Sequence, residues 1–158
     1  MIDYFSAKLF PKVAVVGGGI FGGTSAWYLA KKGYDVSLFE KNSDLITQAS
    51  YVNQYRLHRG YHYPRSDETA QSSLKGESNF IKYYCDSIIN KEVENYYCIA
   101  KEESLVSSTE YTDFLVRNQL EYEEVKLDLV EPNLISLIVK VKEKLFDPDL
   151  LRNSLQNY

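Results

Sequence analysis

The chain is poor in the residues that would signal a metal centre, a disulfide framework or a polyanionic partner. Its 158 residues include only 2 Cys and 2 His. Cys85 and Cys98 form no CxxC pair and have no adjacent His, so the usual spacing of a zinc site is lacking. We expect no metal, and two reduced thiols of the kind found in cytoplasmic proteins. Net positive charge is lacking as well. The formal net charge is −4, and no basic run exceeds Lys31-Lys32. A nucleic acid or an anionic bilayer would favour a positive patch, so neither is an expected partner. The longest apolar stretch near the N-terminus, VAVVGGGIFGG, falls far short of the ~20 residues of a membrane span and is too rich in Gly. The opening MIDYFSAKLFPK carries Asp3 and lacks the apolar core of a secretory leader. The expectation is a soluble, cytoplasmic protein with no membrane span.

What remains is ordinary for a folded domain. Hydrophobic residues make up 44% and charged residues 25% of the chain, enough for one compact core. Tyrosine is abundant, 14 against 7 Phe, which suits half-wet surfaces where the ring packs and the hydroxyl reaches a polar group.

The clearest local signal lies near the start. Residues 12–16 (KVAVV) form a short Val-rich run of the kind seen in parallel strands buried on both faces. Glycines cluster at 17–23, and SAWYLAKKG then predicts a helix with Ile20, Ala26, Leu29 and Ala30 on its inward side. Lys31 and Lys32 suit the negative end of the helix dipole, and Gly33 is a natural stop. Residues 35–39 (DVSLF) predict a second strand ending at Glu40. Strand, helix and strand within roughly 30 residues match one right-handed βαβ crossover.

Between the first strand and the helix stands Gly17-Gly18-Gly19-Ile20-Phe21-Gly22, a GxGxxG loop. Gly17 allows the tight turn, Gly19 lets backbone approach a pyrophosphate, and Gly22 lets the helix pack on the strand. The N–H groups opening the helix then attract the anion. The hexapeptide alone is weak evidence; after a strand and before a helix it is informative. Glu40 follows at the spacing, ~20 residues on, where an acid accepts hydrogen bonds from the adenosine ribose. The acid disfavours a 2′-phosphate, hence NADP, and leaves FAD and NAD open.

Further along, 41–66 is polar, aromatic and weakly periodic, like a functional loop. A helix is predicted over 67–90, capped by Ser66 or Asp67, with Phe80, Ile81, Tyr84 and Ile88 as its apolar stripe. A strand is predicted over 94–102, a helix over 108–120 and one or two strands over 134–146. Asp147-Pro148 then opens a last helix.

Two blocks, VAVVGGGIFGGTSAWYLAKKGYDVSLFEK (13–41) and QASYVNQYRLHRGYHYP (48–64), resemble the D-amino-acid-oxidase-like (DAO) superfamily of FAD-dependent oxidoreductases, in its N-terminal portion. The resemblance implies an α/β fold: a Rossmann-like FAD-binding βαβ unit on a parallel sheet, with part of an α+β substrate domain. It divides the chain into 1–66 (βαβ unit and flavin-side loop), 67–146 (helix and first lobe of the substrate domain) and 147–158 (a helix returning to the FAD-binding domain). It also implies that Gly17, Gly19 and Gly22, with Ile20 and Phe21 between them, line the pyrophosphate. Glu40 would bind the ribose and Lys41 would lie beside the adenosine. Ser50, Asn53 and Gln54 would contact phosphates or the ribityl chain, and Arg56 and His58 would approach the flavin.

Such enzymes pass a hydride from a C–H beside an amine or hydroxyl of a small-molecule substrate to flavin N5. His58 or His62 could serve as base, because imidazole titrates near neutral pH; each could equally be a hydrogen-bonded loop anchor. Arg56, Arg59 and Arg65 could anchor a substrate carboxylate or form loop salt bridges. Tyr61 and Tyr63 read as packing residues. The catalytic candidates are therefore His58 and Arg56.

Members of that family are more than twice this long. The expectation is an incomplete fold: a truncated or split oxidoreductase, active when whole or joined by a complementing C-terminal half. Two further readings stand beside it, a non-catalytic dinucleotide-binding fragment or subunit, and an NAD-dependent dehydrogenase. The Arg- and Tyr-rich loop at 51–65 disfavours the last.

Overall fold

A computed structural model describes residues 11–156. The leader-free reading of the first residues and the last two positions of the final helix lie outside that range. In chain order the elements begin with β1 (Lys12–Val16), α1 (Ile20–Lys31), β2 (Asp35–Phe39) and β3 (Arg56–Leu57). Next come α2 (Asp67–Tyr84), a 3₁₀ turn (Cys85–Ser87), β4 (Asn95–Ala100) and α3 (Ser108–Arg117). The chain closes with β5 (Tyr122–Glu124), β6 (Ile135–Val141), β7 (Lys144–Leu145) and α4 (Pro148–Gln156).

The described residues divide into two compact units, one of 11–55 with 148–156 and the other of 56–147. In the first unit β1 and β2 pair in parallel, from Lys12 opposite Asp35 to Val16 opposite Phe39. Crossover helix α1 buries Gly23 and Ala26. Leu155 of α4 lies against Gly23, so close that a methyl group there would stand 2.9 Å from its Cδ1. Leu151 is fully buried on the same helix.

Two expectations are corrected here. The strands alternate half-buried and exposed residues instead of being buried on both faces. Only Val13, Val15, Val36 and Leu38 are partly covered, while Val16 is 85% exposed and Phe39 57%. Ala30, expected on the inward side, is exposed: it shares the i, i+4 face of Ala26 but stands in the last turn of α1, where that face is no longer covered.

The second unit carries an antiparallel sheet in the order β4-β6-β5. Tyr111, Phe114 and Leu115 of α3 pack with Val139, Val141 and Ile99 of the sheet to form its core. Ser107 and Glu110 close a reciprocal capping box at the start of α3. Ser66 caps α2 by accepting the Thr69 N–H at 3.2 Å.

α2 ends at Tyr84, short of the 90 expected, because the chain tightens into the 3₁₀ turn and then pairs sideways. Ile88 bridges Phe146, and the Ile89 N–H donates to the Leu145 carbonyl. Residues 56–66, read as part of the first domain, belong to the second unit. Arg56 and Leu57 pair antiparallel with Leu145 and Lys144. Gly60 adopts φ +107, and a Cβ there would lie 2.8–2.9 Å from the backbone of Ala70 on α2. Only glycine meets both conditions. No helix among the described residues is long and apolar enough to cross a membrane.

Candidate functional site

The glycine loop sits at the carboxyl end of β1, held by a hydrogen bond from the Gly17 N–H to the Phe39 carbonyl at 2.8 Å. Gly17 has φ +99, which turns the chain toward the helix. Helix α1 then starts with no side-chain cap and no acid in its first turn. Its opening N–H groups lack intrahelical acceptors, and the helix dipole makes this end partly positive. Gly19, the N-cap, faces open space: a Cβ built on it meets nothing within 4 Å. Phe21 is 87% exposed and Ile20 half-buried beside it. An uncapped, positive helix end with open space before it suits a pyrophosphate.

Glu40 lies where β2 ends. Its Oε2 accepts the Gly18 N–H at 2.5 Å and its Oε1 the Asn42 N–H at 2.9 Å. The Asn42 and Gly18 amides, together with neighbouring Lys41, hold the carboxyl below the usual carboxylate range. The group is thus ionised and fixed next to the glycine loop. A carboxylate has about four lone-pair sites, so two amides leave room for ribose hydroxyls. The β1-β2 pairing brings the glycine loop and Glu40 together.

The following loop is tied back onto this cradle by residues that sequence inspection did not single out. The Ile46 N–H donates to the Gly18 carbonyl at 2.8 Å, and Ile46 is 1% exposed. Arg152 of α4 donates to the Leu45 carbonyl at 2.9 Å and places its guanidinium 5.2 Å from the Tyr51 ring centre. Of the predicted contacts, Lys41 is exposed, Ser50 half-buried and Gln54 exposed. Asn53 is engaged within its own loop: it donates to the Ala49 carbonyl at 2.8 Å and accepts the Tyr55 N–H at 2.5 Å.

Arg56 and His58 lie in the second unit, around a carboxylate that sequence inspection also missed. Glu143, in the short connection between β6 and β7, has a side chain with 0% exposure. It lies 3.9 Å from Arg56 and 3.6 Å from His58 Nδ1, and it accepts the Arg59 N–H at 3.0 Å and the Tyr97 hydroxyl at 3.0 Å. Arg59 also pairs with Glu77 of α2 at 2.9 Å. Arg65 is exposed. Tyr61 is fully buried and donates its hydroxyl to the Glu121 carbonyl at 2.6 Å. The only sequence signal for Glu143 is an acid just past an apolar strand, which many solvent-facing glutamates share. Cys85 and Cys98 are free and exposed, and the described residues include no cluster of three or more potential metal ligands.

A parallel βαβ unit with an uncapped glycine-rich helix start and a fixed acid on the neighbouring strand defines a dinucleotide-binding protein. Residues 12–147 match the family described as FAD dependent oxidoreductase (DAO). The chain belongs to this family, and FAD is the family's cofactor. Among curated relatives, it is 30% identical over 133 residues to FAD-dependent monooxygenase FPY4 of Fusarium mangiferae, covering 84% of this chain and 36% of that protein. It is 40% identical over 53 residues to D-amino acid dehydrogenase of Phenylobacterium zucineum, covering 34% of this chain and 12% of that protein. The crystal structure of glycine oxidase from Bacillus cereus ATCC 14579 shares the fold with a TM-score of 0.66 at 15% identity, over 94% of this chain and 43% of that one. The chain therefore spans less than half the length of these relatives.

Proposed function

We propose that the first unit holds the adenosine diphosphate part of FAD in an oxidoreductase that oxidises a C–H beside the amine or hydroxyl of an amino or hydroxy acid, or of a related amine or alcohol. The observation that carries this reading is the uncapped start of α1 beside Gly19, with the Glu40 carboxylate fixed alongside. Names among the relatives support the substrate class: one is a D-amino acid dehydrogenase and another a glycine oxidase. Bound flavin supplies the hydride acceptor. The chain's own residues bind and orient. Backbone amides of the glycine loop and α1 hold the pyrophosphate, Glu40 takes the ribose hydroxyls, and Lys41 lies beside the adenosine. Ser50, Asn53 and Gln54 are the candidates for the phosphates and ribityl chain. In the second unit, Arg56 is the candidate for holding a carboxylate and His58 for accepting a proton. The reading extends to a soluble cytoplasmic enzyme that works whole or together with a complementing C-terminal half.

The test is reconstitution of the purified chain with FAD, followed by quenching of flavin fluorescence. Saturable uptake that Glu40→Ala weakens about tenfold is the expected result, the scale of one charge-assisted hydrogen bond. No uptake, by this chain or by a longer form carrying it, overturns the reading.

A second reading is a non-catalytic dinucleotide-binding piece of a larger assembly. The bare face of the β1-β2 pair favours it, with Val16 85% and Phe39 57% exposed. It predicts FAD uptake without flavin reduction when D-amino acids or 2-hydroxy acids are added anaerobically.

A further inference from the structure

Glu143 is a carboxylate surrounded by Tyr97, Arg59, Arg56 and His58. Its side chain is wholly buried, and its own carbonyl is pinned by the Asn95 side-chain amide at 2.9 Å. Oε2 accepts the Tyr97 hydroxyl and faces Arg56; Oε1 accepts the Arg59 N–H and faces His58 Nδ1 at 3.6 Å. Burial alone would push its carboxyl up. The His58 ring, the Arg59 N–H and the Tyr97 hydroxyl more than offset that and hold it below the ordinary range. The acid is ionised in the folded chain.

His58 sees this anion from one side only. Its Nδ1 is closed off from solvent and makes no hydrogen bond of normal length, although the side chain as a whole is 39% exposed. The exposure is therefore carried by the rest of the ring. His62 stacks on it at 5.8 Å with the planes 28° apart, and Tyr63 stands edge-on to His62 at 5.6 Å. The charged and titratable groups around the ring are thus Glu143 at Nδ1 and His62 over its face, with Arg56 and Arg59 reached through the same carboxylate.

A neutral imidazole carries one N–H and one lone pair. A lone pair on Nδ1, shut away from water and aimed at a carboxylate, would be repelled and left without a donor. An N–H there is attracted, and closing the 3.6 Å gap by about 0.4 Å or more brings it within hydrogen-bond range of the carboxylate.

We propose that Glu143 is a positioning residue that locks His58 in the Nδ1–H tautomer, so that Nε2 is the ring's acceptor nitrogen. The carboxylate supplies orientation as well as tautomer, because the Arg59 N–H that it also binds fixes the backbone next to His58. Nε2 then has the lone pair needed to accept a proton from a substrate hydroxyl or ammonium. That use of Nε2 rests on the oxidoreductase reading; the tautomer itself does not.

The experiment is long-range ¹H–¹⁵N correlation NMR on the ¹⁵N-labelled full chain, at a pH above the imidazole range. With 2 His in the sequence, His62→Gln assigns the His58 ring directly. The expected spectrum has a pyrrole-type Nδ1 and a pyridine-type Nε2 for His58, with a cross-peak from Nδ1–H to the Glu143 side-chain protons. In Glu143→Gln the ratio of tautomers should move toward Nε2–H by about tenfold or more, the loss of one hydrogen bond to a charged group. An Nε2–H tautomer in the unaltered chain overturns the proposal. So does an unchanged His58 spectrum in a Glu143→Gln variant whose amide dispersion is native. If that variant fails to fold, the cross-peak in the unaltered chain decides, and its absence counts against Glu143. FAD titration of the same samples reports separately on the cofactor reading, so the two can fail independently.

Discussion

A methyl group on Gly22 would stand 1.8 Å from the carbonyl oxygen of Gly17, deep inside van der Waals contact. The start of α1 and the end of β1 touch backbone to backbone, and this contact sets where the helix N-terminus points. The obstacle is a main-chain oxygen, so no rotamer change relieves it. Gly22→Ala should destabilise the first unit by about 1–3 kcal/mol, the range for overpacking, and lower FAD affinity with it. Thermal denaturation followed by circular dichroism would show the loss; an unchanged midpoint would contradict the contact.

Gly19 should behave in the opposite manner. An added Cβ there meets nothing within 4 Å in the chain itself, and its backbone is extended, at φ −70 and ψ −178. Gly19→Ala should cost the free protein no more than about 1 kcal/mol, since Ala is a poorer N-cap than Gly. On the proposed reading, the methyl would nevertheless occupy the space taken by the pyrophosphate. FAD affinity should fall at least tenfold while the melting temperature of the cofactor-free chain scarcely moves.

Acid should weaken the same cradle through Glu40. The Asn42 and Gly18 amides hold its carboxyl below the ordinary range in the folded chain. A group whose pKa is lowered by folding contributes stability that is complete above its unfolded value and is lost as pH falls through the folded one. Stability should therefore decline on the acid side of the carboxylate range, and Glu40→Gln should flatten that part of the curve. Melting temperature against pH, for the two proteins side by side, measures this; parallel curves would refute it.

Tyr61 gives the alkaline counterpart in the second unit. Burial raises its hydroxyl to about 12, and the O–H donates to the Glu121 carbonyl at 2.6 Å. A raised pKa has the reverse sign. Its contribution is complete below the unfolded value and is lost as pH climbs toward about 12. Tyr61→Phe should cost about 1 kcal/mol near neutral pH and remove part of the alkaline decline. Urea titrations at neutral and alkaline pH would distinguish these effects.

The capping box of α3 offers a purely local check. The Ser107 hydroxyl accepts the Glu110 N–H at 3.2 Å, and the Glu110 side chain returns to the Ser107 N–H at 2.7 Å. Ser107→Ala should destabilise the second unit by about 1 kcal/mol. Calorimetry of the variant gives the value, and a stabilising change would be inconsistent with the cap.

Legibility in the sequence followed the range of the interactions. β1, α1, β2 and Glu40 were readable because glycine spacing, helix period and strand length are all local signals. Ser66 as a cap was readable for the same reason. β3 and β7 have two residues each, too few for any periodicity, and exist only because they pair with each other across most of the chain. The same holds for Glu143 beside His58 and for Arg152 on the Leu45 carbonyl. Each joins segments that nothing in their immediate sequence relates.

By itself, the sequence determined the strand, glycine loop, helix and strand from Lys12 to Phe39 and the acid at Glu40, because a tight turn, a helix start and an acid at one spacing are a property of the local chain. The tertiary structure alone decided what surrounds the other candidates. It aligned β1 with β2 so that one face of the pair stays bare, and it folded 56–66 into the second unit. It also set a buried carboxylate against the His58 ring. Those outcomes depend on strand pairing and burial between distant segments, where the free energy of removing charge and apolar surface from water is settled only once the partners meet.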